Sequence, residues 1–300
     1  MNNILELIGN TQIVRINKLN LNPNINIFAK LEGNNPGGSI KDRIALKMLE
    51  EAEKSGKLTK EKTIIEATSG NTGIAIAMIA AVKEYFVEIV MSEAVSVERR
   101  KMIAAFGAKI TLTDGKLGTD GAIKKTRELV AEFPEKYYYP DQFSNNNNIL
   151  AHYENTAAEI WEQMDGKIDY FVAAIGTSGT LMGVSKYLKQ KNPAIKIISA
   201  EPVKSHYIQG LKNMEEAIIP VIYDREHLDD IIMVESEAAF EMARLVARNE
   251  GIFCGMSSGA AMYASLEIAK KISAQGGQAG DIVTIFPDRG EKYLSTSLFG

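Results

Sequence analysis

The sequence predicts a two-lobed α/β protein whose mostly parallel, doubly wound sheets carry helices on both faces. Two observations support this fold class. Short β-branched or apolar runs alternate with longer helical stretches along most of the 300-residue chain, a pattern typical of parallel strands joined by crossover helices. The hydrophobic content of 45% is also sufficient for one or two large cores.

The predicted elements follow one another along the chain. Strands are expected at 25–31, 63–67, 86–91, 110–113, 170–175, 195–200 and 281–286. Helices are expected at about 40–55, 74–82, 96–106, 121–133 and 238–249, around 154–161, and after residues 180 and 259. We expect Ser39 and Asp42 to cap the first helix as a capping box, and Gly56 to end it. Residues 137–148 are expected to form an irregular connection between the lobes.

Composition excludes several classes of function. The net charge is −4 and the chain contains no basic run, so neither nucleic acid nor an anionic membrane is an expected partner. The N-terminus does not resemble a secretory signal, and the longest apolar run, near 74–82, is too short to span a bilayer. A single cysteine and three scattered histidines indicate no disulfide framework and no metal site. A soluble, cytoplasmic protein is expected.

A loop rich in Asn, Pro and Gly, residues 31–43, places Lys41 in the first turn of a helix. The positive end of a helix dipole disfavours a cation there. A lysine at this position is therefore best explained if its amine is required in the neutral form. Burial and a nearby positive field lower the pKa of an amine, and a neutral amine forms a Schiff base with an aldehyde. The alternative is a solvated lysine paired with Asp42 or another acid.

Three turns rich in glycine and hydroxyl side chains connect a strand or loop to a helix, at 68–73, 176–180 and 256–259. Each presents backbone N–H groups at a helix N-terminus, where anions bind, and such turns converge at the carboxyl ends of parallel strands. The turn at 176–180 lacks the lysine of a P-loop and the spacing of a dinucleotide motif, so a compact phosphate suits it. The turn at 68–72 suits a carboxylate. Any one of them alone is also explained as a tight connection.

The chain resembles the cysteine synthases, particularly the B-type enzymes, among the fold-type II pyridoxal-phosphate enzymes related to the tryptophan synthase β chain. The matching motifs lie in the right order over nearly the whole chain. They are Leu31-Glu32-Gly33-Asn34-Asn35-Pro36 with Ser39 and Lys41-Asp42-Arg43, Glu66-Ala67-Thr68-Ser69-Gly70-Asn71-Thr72-Gly73, Asp141-Gln142-Phe143, Gly176-Thr177 with Gly179-Thr180, Glu250-Gly251-Ile252-Phe253-Cys254-Gly255 with Ser257-Ser258-Gly259, Asp288-Arg289-Gly290 and Tyr293-Leu294-Ser295-Thr296.

The resemblance implies roles for individual residues around pyridoxal 5'-phosphate. Lys41 would be the Schiff-base lysine, Asn71 would bind the ring hydroxyl, and Ser257 would face the pyridine nitrogen. The phosphate would be held by Gly176, Thr177, Ser178, Gly179 and Thr180, and the substrate carboxylate by Thr68, Ser69, Gly70, Thr72 and Gln142. A smaller mobile lobe, about 44–145, would carry the carboxylate loop. A larger lobe, about 1–43 plus 146–300, would hold the cofactor, with the active site between them. A homodimer is expected.

The resemblance also implies a β-replacement through an aminoacrylate intermediate, in which O-acetylserine and sulfide give cysteine. A neutral Ser257 at the ring nitrogen favours elimination and replacement over transamination. The same chemistry on L-cysteine would release hydrogen sulfide, with water giving serine or a second cysteine giving lanthionine. A cystathionine β-synthase-like enzyme and a catalytically silent member remain further alternatives.

The segment 207–214 and the residues at 92 and 155–158 depart from the family pattern near the substrate entrance. These departures leave the leaving group and the nucleophile open. Asp229 and Asp230 suggest one hypothesis about the nucleophile, namely that one of these carboxylates reaches the site and polarises water or a thiol. Such a carboxylate would favour the release of sulfide from cysteine.

Overall fold

Strands and helices alternate along the chain in the computed structural model, which describes residues 1–68, 70–274 and 280–300. Within these residues the strands are β1 (Ile13–Ile16), β2 (Ile25–Leu31), β3 (Thr63–Ala67), β4 (Phe86–Ser92), β5 (Lys109–Thr113), β6 (Tyr137–Tyr138), β7 (Tyr170–Ala174), β8 (Lys196–Pro202), β9 (Asp230–Val234) and β10 (Gly280–Phe286). The α-helices are α1 (Lys41–Lys54), α2 (Asn71–Lys83), α3 (Val97–Ala105), α4 (Gly118–Glu132), α5 (Asn146–Ala151), α6 (Ala157–Gln163), α7 (Gly179–Lys191), α8 (Ser236–Leu245) and α9 (Met256–Ala274).

The strands form two sheets. The larger has six strands in the order β1-β2-β10-β7-β8-β9, and only β1 runs antiparallel to its neighbour among the described pairs. The smaller has four parallel strands in the order β5-β4-β3-β6. The predicted fold class, a mostly parallel α/β protein, is confirmed.

Both sheets are covered on both faces, which explains their apolar strands. Adjacent residues of β10 point to opposite sides: Ile282 lies in a core with α8 and α9, and Val283 in a core with α6 and α7. In the smaller sheet, Ile64 packs with α1 and α2, and Ile65 with α4. All strands of the smaller sheet fall within 44–145. The division into a smaller mobile lobe and a larger lobe stays a prediction.

Helix α1 follows the predicted apolar pattern but begins with different hydrogen bonds. The helix begins at Lys41, preceded by Ile40. The Lys41 N–H donates to Ser39 Oγ at 3.3 Å, and the Asp42 carboxylate accepts from the Gly37 N–H at 2.5 Å. The predicted capping box between Ser39 and Asp42 is therefore wrong, because Asp42 reaches back to close the glycine loop instead.

Three short strands and one helix go beyond the predicted elements. Strand β1 lies at the edge of the larger sheet next to β2, and β9 lies at the opposite edge. Strand β6 and the start of α5 lie in the segment 137–148, for which the sequence predicts an irregular connection. Short strands carry few residues of period-two pattern, so these elements leave a weak signal in the sequence.

A buried cluster of charges lies behind the first turn of α1. Arg43 binds Glu32 with two hydrogen bonds, of 2.7 and 2.8 Å, and Glu159 of α6 with two more, each 2.7 Å. Lys30 of β2 adds an ion pair to Glu159 at 2.8 Å. The cluster joins β2, α1 and α6. It therefore fixes the position of the first turn of α1, which carries Lys41.

Candidate active site

One cavity opens where the turns of both sheets meet, at the carboxyl ends of parallel strands. It is lined by most of the predicted site residues: Lys41, Thr68, Asn71, Thr72, Gln142, Gly176, Thr177, Ser178, Thr180 and Ser257. Gly70 and Gly179 lie in the same turns without lining the cavity. Ser69 lies outside the described residues.

Lys41 supplies an amine to this cavity. Burial lowers the pKa of Lys41 to about 8, although the charges of Asp288 and Glu32 oppose the shift. Near physiological pH, the neutral fraction of this amine is therefore larger than that of an exposed lysine. Such an amine can act as a nucleophile toward an aldehyde and as a proton acceptor.

The conformation of the β3–α2 turn is fixed by hydrogen bonds within the turn and to a neighbouring loop. Thr68 Oγ1 accepts from the Gly70 N–H at 3.0 Å. The Thr72 hydroxyl donates to Gln142 Oε1 at 2.7 Å, and Gln142 Nε2 donates to the Ala67 carbonyl at 2.9 Å. Gly70 has φ +131, and an added Cβ would overlap the Arg99 side chain, so only glycine fits there. The turn thus presents hydroxyl and amide groups without a full charge.

The β7–α7 turn has the features of an anion site. Ser178 precedes the helix with φ +72, and its buried hydroxyl oxygen has no hydrogen-bond partner within the described structure. A Cβ at Gly176 would overlap the Gly210 carbonyl oxygen, and one at Gly179 would overlap Asn148 Oδ1. Glycine is therefore required at both positions, because neighbouring protein atoms pack against the turn. The free N–H groups at the start of α7 and the unsatisfied Ser178 hydroxyl lie at the cavity, where an anion could bind them.

Asn148 connects the β7–α7 turn to the loop of Gln142, and the sequence did not indicate this role. Its Nδ2 donates to the Gln142 carbonyl at 2.8 Å and to Thr177 Oγ1 at 3.0 Å. The residue is fully buried and lies in α5, within a run of four asparagines that looked like an irregular linker. The only available signal was a polar residue on the buried side of a short helix.

Asn71, the first residue of α2, is also held by partners that the sequence did not indicate. Its Nδ2 donates to Asp288 Oδ2 at 2.7 Å, and its Oδ1 accepts from Lys292 Nζ at 3.1 Å. Lys292 also donates to the carbonyls of Gly37 and Gly38, at 3.2 and 2.8 Å. The C-terminal segment therefore fixes both the Asn71 amide and the loop that leads to Lys41.

The structure does not bring Asp229 and Asp230 to this cavity. They lie at the amino end of β9, whereas the cavity opens at the carboxyl ends of the strands. Asp229 pairs with Lys189 and Lys196, at 2.8 and 3.2 Å, and Asp230 pairs with Lys271 at 2.8 Å. Because both carboxylates pair with lysines away from the cavity, the structure does not support the hypothesis that one of them polarises a nucleophile.

Two further findings concern the described residues alone. No group of three or more His, Cys, Asp or Glu side chains among them is placed to hold a metal ion. Among their helices, none combines the length and the apolar character needed to cross a membrane.

Comparison with known proteins places the chain in a family. A cysteine synthase of Aquifex aeolicus is 50% identical over 300 residues, covering 99% of this chain and 91% of that protein. A hydrogen sulfide-producing enzyme from Fusobacterium nucleatum has a TM-score of 0.92 and 45% identity, covering 98% of this chain and 100% of its own. The cysteine synthase of Entamoeba histolytica has a TM-score of 0.92 and 43% identity, with coverage of 100% and 90%. The family model described as pyridoxal-phosphate dependent enzyme matches residues 4–288, and the chain belongs to this family.

Proposed function

We propose that the protein makes L-cysteine and acetate from O-acetyl-L-serine and sulfide. The observation that carries the proposal is the convergence, in one cavity, of the Lys41 amine with an anion-binding turn and a hydroxyl-rich turn. The relative of 50% identity that is named cysteine synthase supports this choice of reaction.

The residues of the cavity fit the family's cofactor. Lys41 would form the covalent bond to its aldehyde carbon, and the unsatisfied Ser178 hydroxyl and the helix N–H groups behind it match a phosphate. Asn71 would bind the ring hydroxyl. Ser257, buried at the start of α9, would offer the ring nitrogen a neutral hydroxyl rather than a carboxylate, which favours replacement over transamination.

Pyridoxal phosphate, when bound, supplies an electron sink for the Cα–H bond of the substrate. Lys41 Nζ would take the α-proton and later return it. Thr68, Thr72 and Gln142 would orient the substrate carboxylate through hydroxyl and amide groups. The Cβ–O bond of the substrate breaks, acetate leaves with the electron pair, and sulfide forms the new Cβ–S bond.

The second candidate function is the release of hydrogen sulfide from L-cysteine by the same chemistry. A specific observation favours it, because a hydrogen sulfide-producing enzyme matches 98% of the chain with a TM-score of 0.92. Water as the incoming nucleophile would give serine, and a second cysteine would give lanthionine. A catalytically silent protein has less support, since Lys41, Asn71 and Ser257 are all present at the cavity. A cystathionine-forming enzyme would use the same residues, and it has less support because the relatives described above are named for making cysteine or hydrogen sulfide.

Two assays on one preparation distinguish these functions. The holoenzyme is given O-acetyl-L-serine plus sulfide in one assay and L-cysteine alone in the other, and sulfide and amino acids are followed in both. Fast consumption of sulfide with formation of cysteine is the expected result. Faster release of sulfide from cysteine, with serine or lanthionine as product, would favour the second function, and inactivity in both assays would refute the two together.

The lowered pKa of Lys41 predicts how the apoprotein captures its cofactor. Only the neutral amine attacks an aldehyde, so the capture rate should rise about tenfold per pH unit below the amine pKa and level off above it. With a pKa of about 8, the capture rate should level off near pH 8, whereas an amine with the ordinary lysine pKa of 10.5 would level off near pH 10.5. Stopped-flow absorbance measures the rate, with Nα-acetyl-lysine as the exposed control. A rate that still climbs steeply above pH 9 would contradict the prediction.

We propose that the lobe formed by about 44–145 closes on the larger lobe when the substrate carboxylate binds the 68–72 turn, which would exclude water. We further propose a cytoplasmic homodimer that acts on small molecules, including sulfide, without nucleic acid or membrane. Light scattering should give twice the chain mass of 32.9 kDa.

A further inference from the structure

A buried histidine lies directly behind the anion-binding turn. His152 has no exposed surface and begins a π-helical turn, His152–Thr156, between α5 and α6. Its Nδ1 lies 2.9 Å from Thr156 Oγ1, and its Nε2 lies 3.2 Å from Thr180 Oγ1. Thr180 lines the cavity. The imidazole therefore contacts the hydroxyl of one residue that lines the cavity, Thr180, and that of one residue that does not, Thr156.

The surroundings of His152 favour the neutral form of its ring. Burial lowers the pKa of His152 well below its usual value, and the positive charges of Lys41 and Arg43 lower it further. A neutral imidazole carries one N–H donor and one acceptor nitrogen. The two hydroxyls therefore bind unequal nitrogens, and the tautomer decides which hydroxyl donates its proton to the ring.

We propose that His152 is a positioning residue that holds the Thr180 hydroxyl as a donor to the phosphate by adopting the Nε2–H tautomer. In this state Nε2–H donates to Thr180 Oγ1, and the Thr180 proton is free to point at the anion. Nδ1 then accepts from the Thr156 hydroxyl.

In the opposite tautomer the Thr180 proton points at Nε2, and only oxygen lone pairs face the anion, which repels them. An anion in the turn must therefore select the Nε2–H form. The His152 ring also packs closely against α7, since a Cβ on Gly183 would lie 2.8 Å from His152 Cβ. A histidine that served only for packing would have a tautomer that does not depend on a bound anion. The inference rests on the proposed function only in that the 176–180 turn holds the cofactor phosphate.

Nitrogen NMR tests the tautomer directly, because the chain has only three histidines. The apoprotein is labelled with ¹⁵N-histidine and titrated with inorganic phosphate, and the holoenzyme is then measured. His206 and His227 are internal controls, since both are more exposed and neither lines the cavity. We expect the His152 Nε2 signal to be of the protonated, pyrrole type in both bound forms. A pyridine-type Nε2, or a ring protonated on both nitrogens, in the holoenzyme would overturn the proposal.

Variants measure the effect on cofactor affinity without any turnover. His152→Leu removes the donor, and the dissociation constant of pyridoxal phosphate should rise about tenfold, as for one lost hydrogen bond to a charged group. His152→Gln keeps an N–H donor and should recover most of the loss.

A double-variant cycle separates positioning from packing. Thr180→Val should weaken cofactor binding to a similar extent, and adding His152→Leu to it should cost little more. Equal, additive losses would overturn the proposal in favour of a purely structural role. Thr180→Val can be measured by itself if His152→Leu does not fold, and unchanged affinity in Thr180→Val would also overturn it. Failure of the O-acetylserine assay would leave these binding results untouched.

Discussion

Replacing Lys41 with alanine should leave a folded, colourless protein whose turnover is at least about 10³-fold slower. The change removes both the amine that would bind the cofactor aldehyde and the base for the α-proton, and either role alone is worth roughly 10²–10⁴ in rate. The fold should survive because the Lys41 side chain lines the cavity, while its helix is held by the apolar residues Ile44, Met48 and Leu49.

The visible absorption band and mass spectrometry after borohydride reduction test this expectation. The wild-type protein should be yellow and should carry the reduced cofactor on Lys41. Lys212→Ala is the matched control, because Lys212 lines the same cavity and pairs with Asp120 at 2.9 Å. That variant should stay yellow. A yellow Lys41→Ala protein with the cofactor attached to another lysine would contradict the assignment.

The sequence indicated the segments that line the cavity where the signal was local. The 68–73 and 176–180 segments follow strands directly, so a run of β-branched residues and then glycine and hydroxyl residues sufficed to find them. Strand β3 was predicted with the bounds that the structure shows, Thr63–Ala67, because a polar segment lies on each side. Lys41 carries a local signal of the same kind, because a glycine-rich loop precedes it and a helix begins at it.

The partners of those residues could not be predicted, because distant parts of the chain supply them. Asn71 is fixed by Asp288 and Lys292, which lie 217 and 221 positions away in the sequence. For Asp229 and Asp230 the sequence suggested a role in the site that their tertiary partners do not support. Two adjacent acids look available in the sequence, but folding pairs them with lysines up to 41 positions away. Burial and partnership are tertiary properties, and a local pattern does not contain them.

Arg43→Met should destabilise the protein by about 3–5 kcal/mol, the usual cost of leaving a buried charge without its partner. Arg43 is 4% exposed and Glu32 is fully buried. Removing the guanidinium leaves the Glu32 carboxylate with only the hydroxyl of Thr11 and the amide of Asn35 among its hydrogen-bond donors. Methionine restores the packed volume but no charge, so the loss reports the electrostatics.

Urea unfolding of the apoprotein measures this loss as a lower midpoint with an unchanged m-value. Lys47→Met is the matched control on the same helix. Lys47 also bridges two carboxylates, Glu51 and Glu154, at 3.4 and 2.9 Å, but these pairs are partly exposed. They should contribute about 0–1 kcal/mol. Equal effects of the two variants would show that the buried cluster contributes no more than a surface pair.

The acid limb of the stability curve gives a second, independent readout of the same cluster. Burial alone would raise the pKa of Glu159, but its hydrogen bonds and charge interactions with Arg43 and Lys30 outweigh burial and lower the pKa to about 2. This carboxylate therefore stabilises the fold above its ordinary pKa of 4.5, and the contribution disappears as the pH falls through about 2. Arg43→Met should flatten that part of the wild-type curve, whereas Lys47→Met should keep it.

Because the cluster also sets the position of the α1 start, the Arg43→Met protein should lose cofactor affinity even where it remains folded.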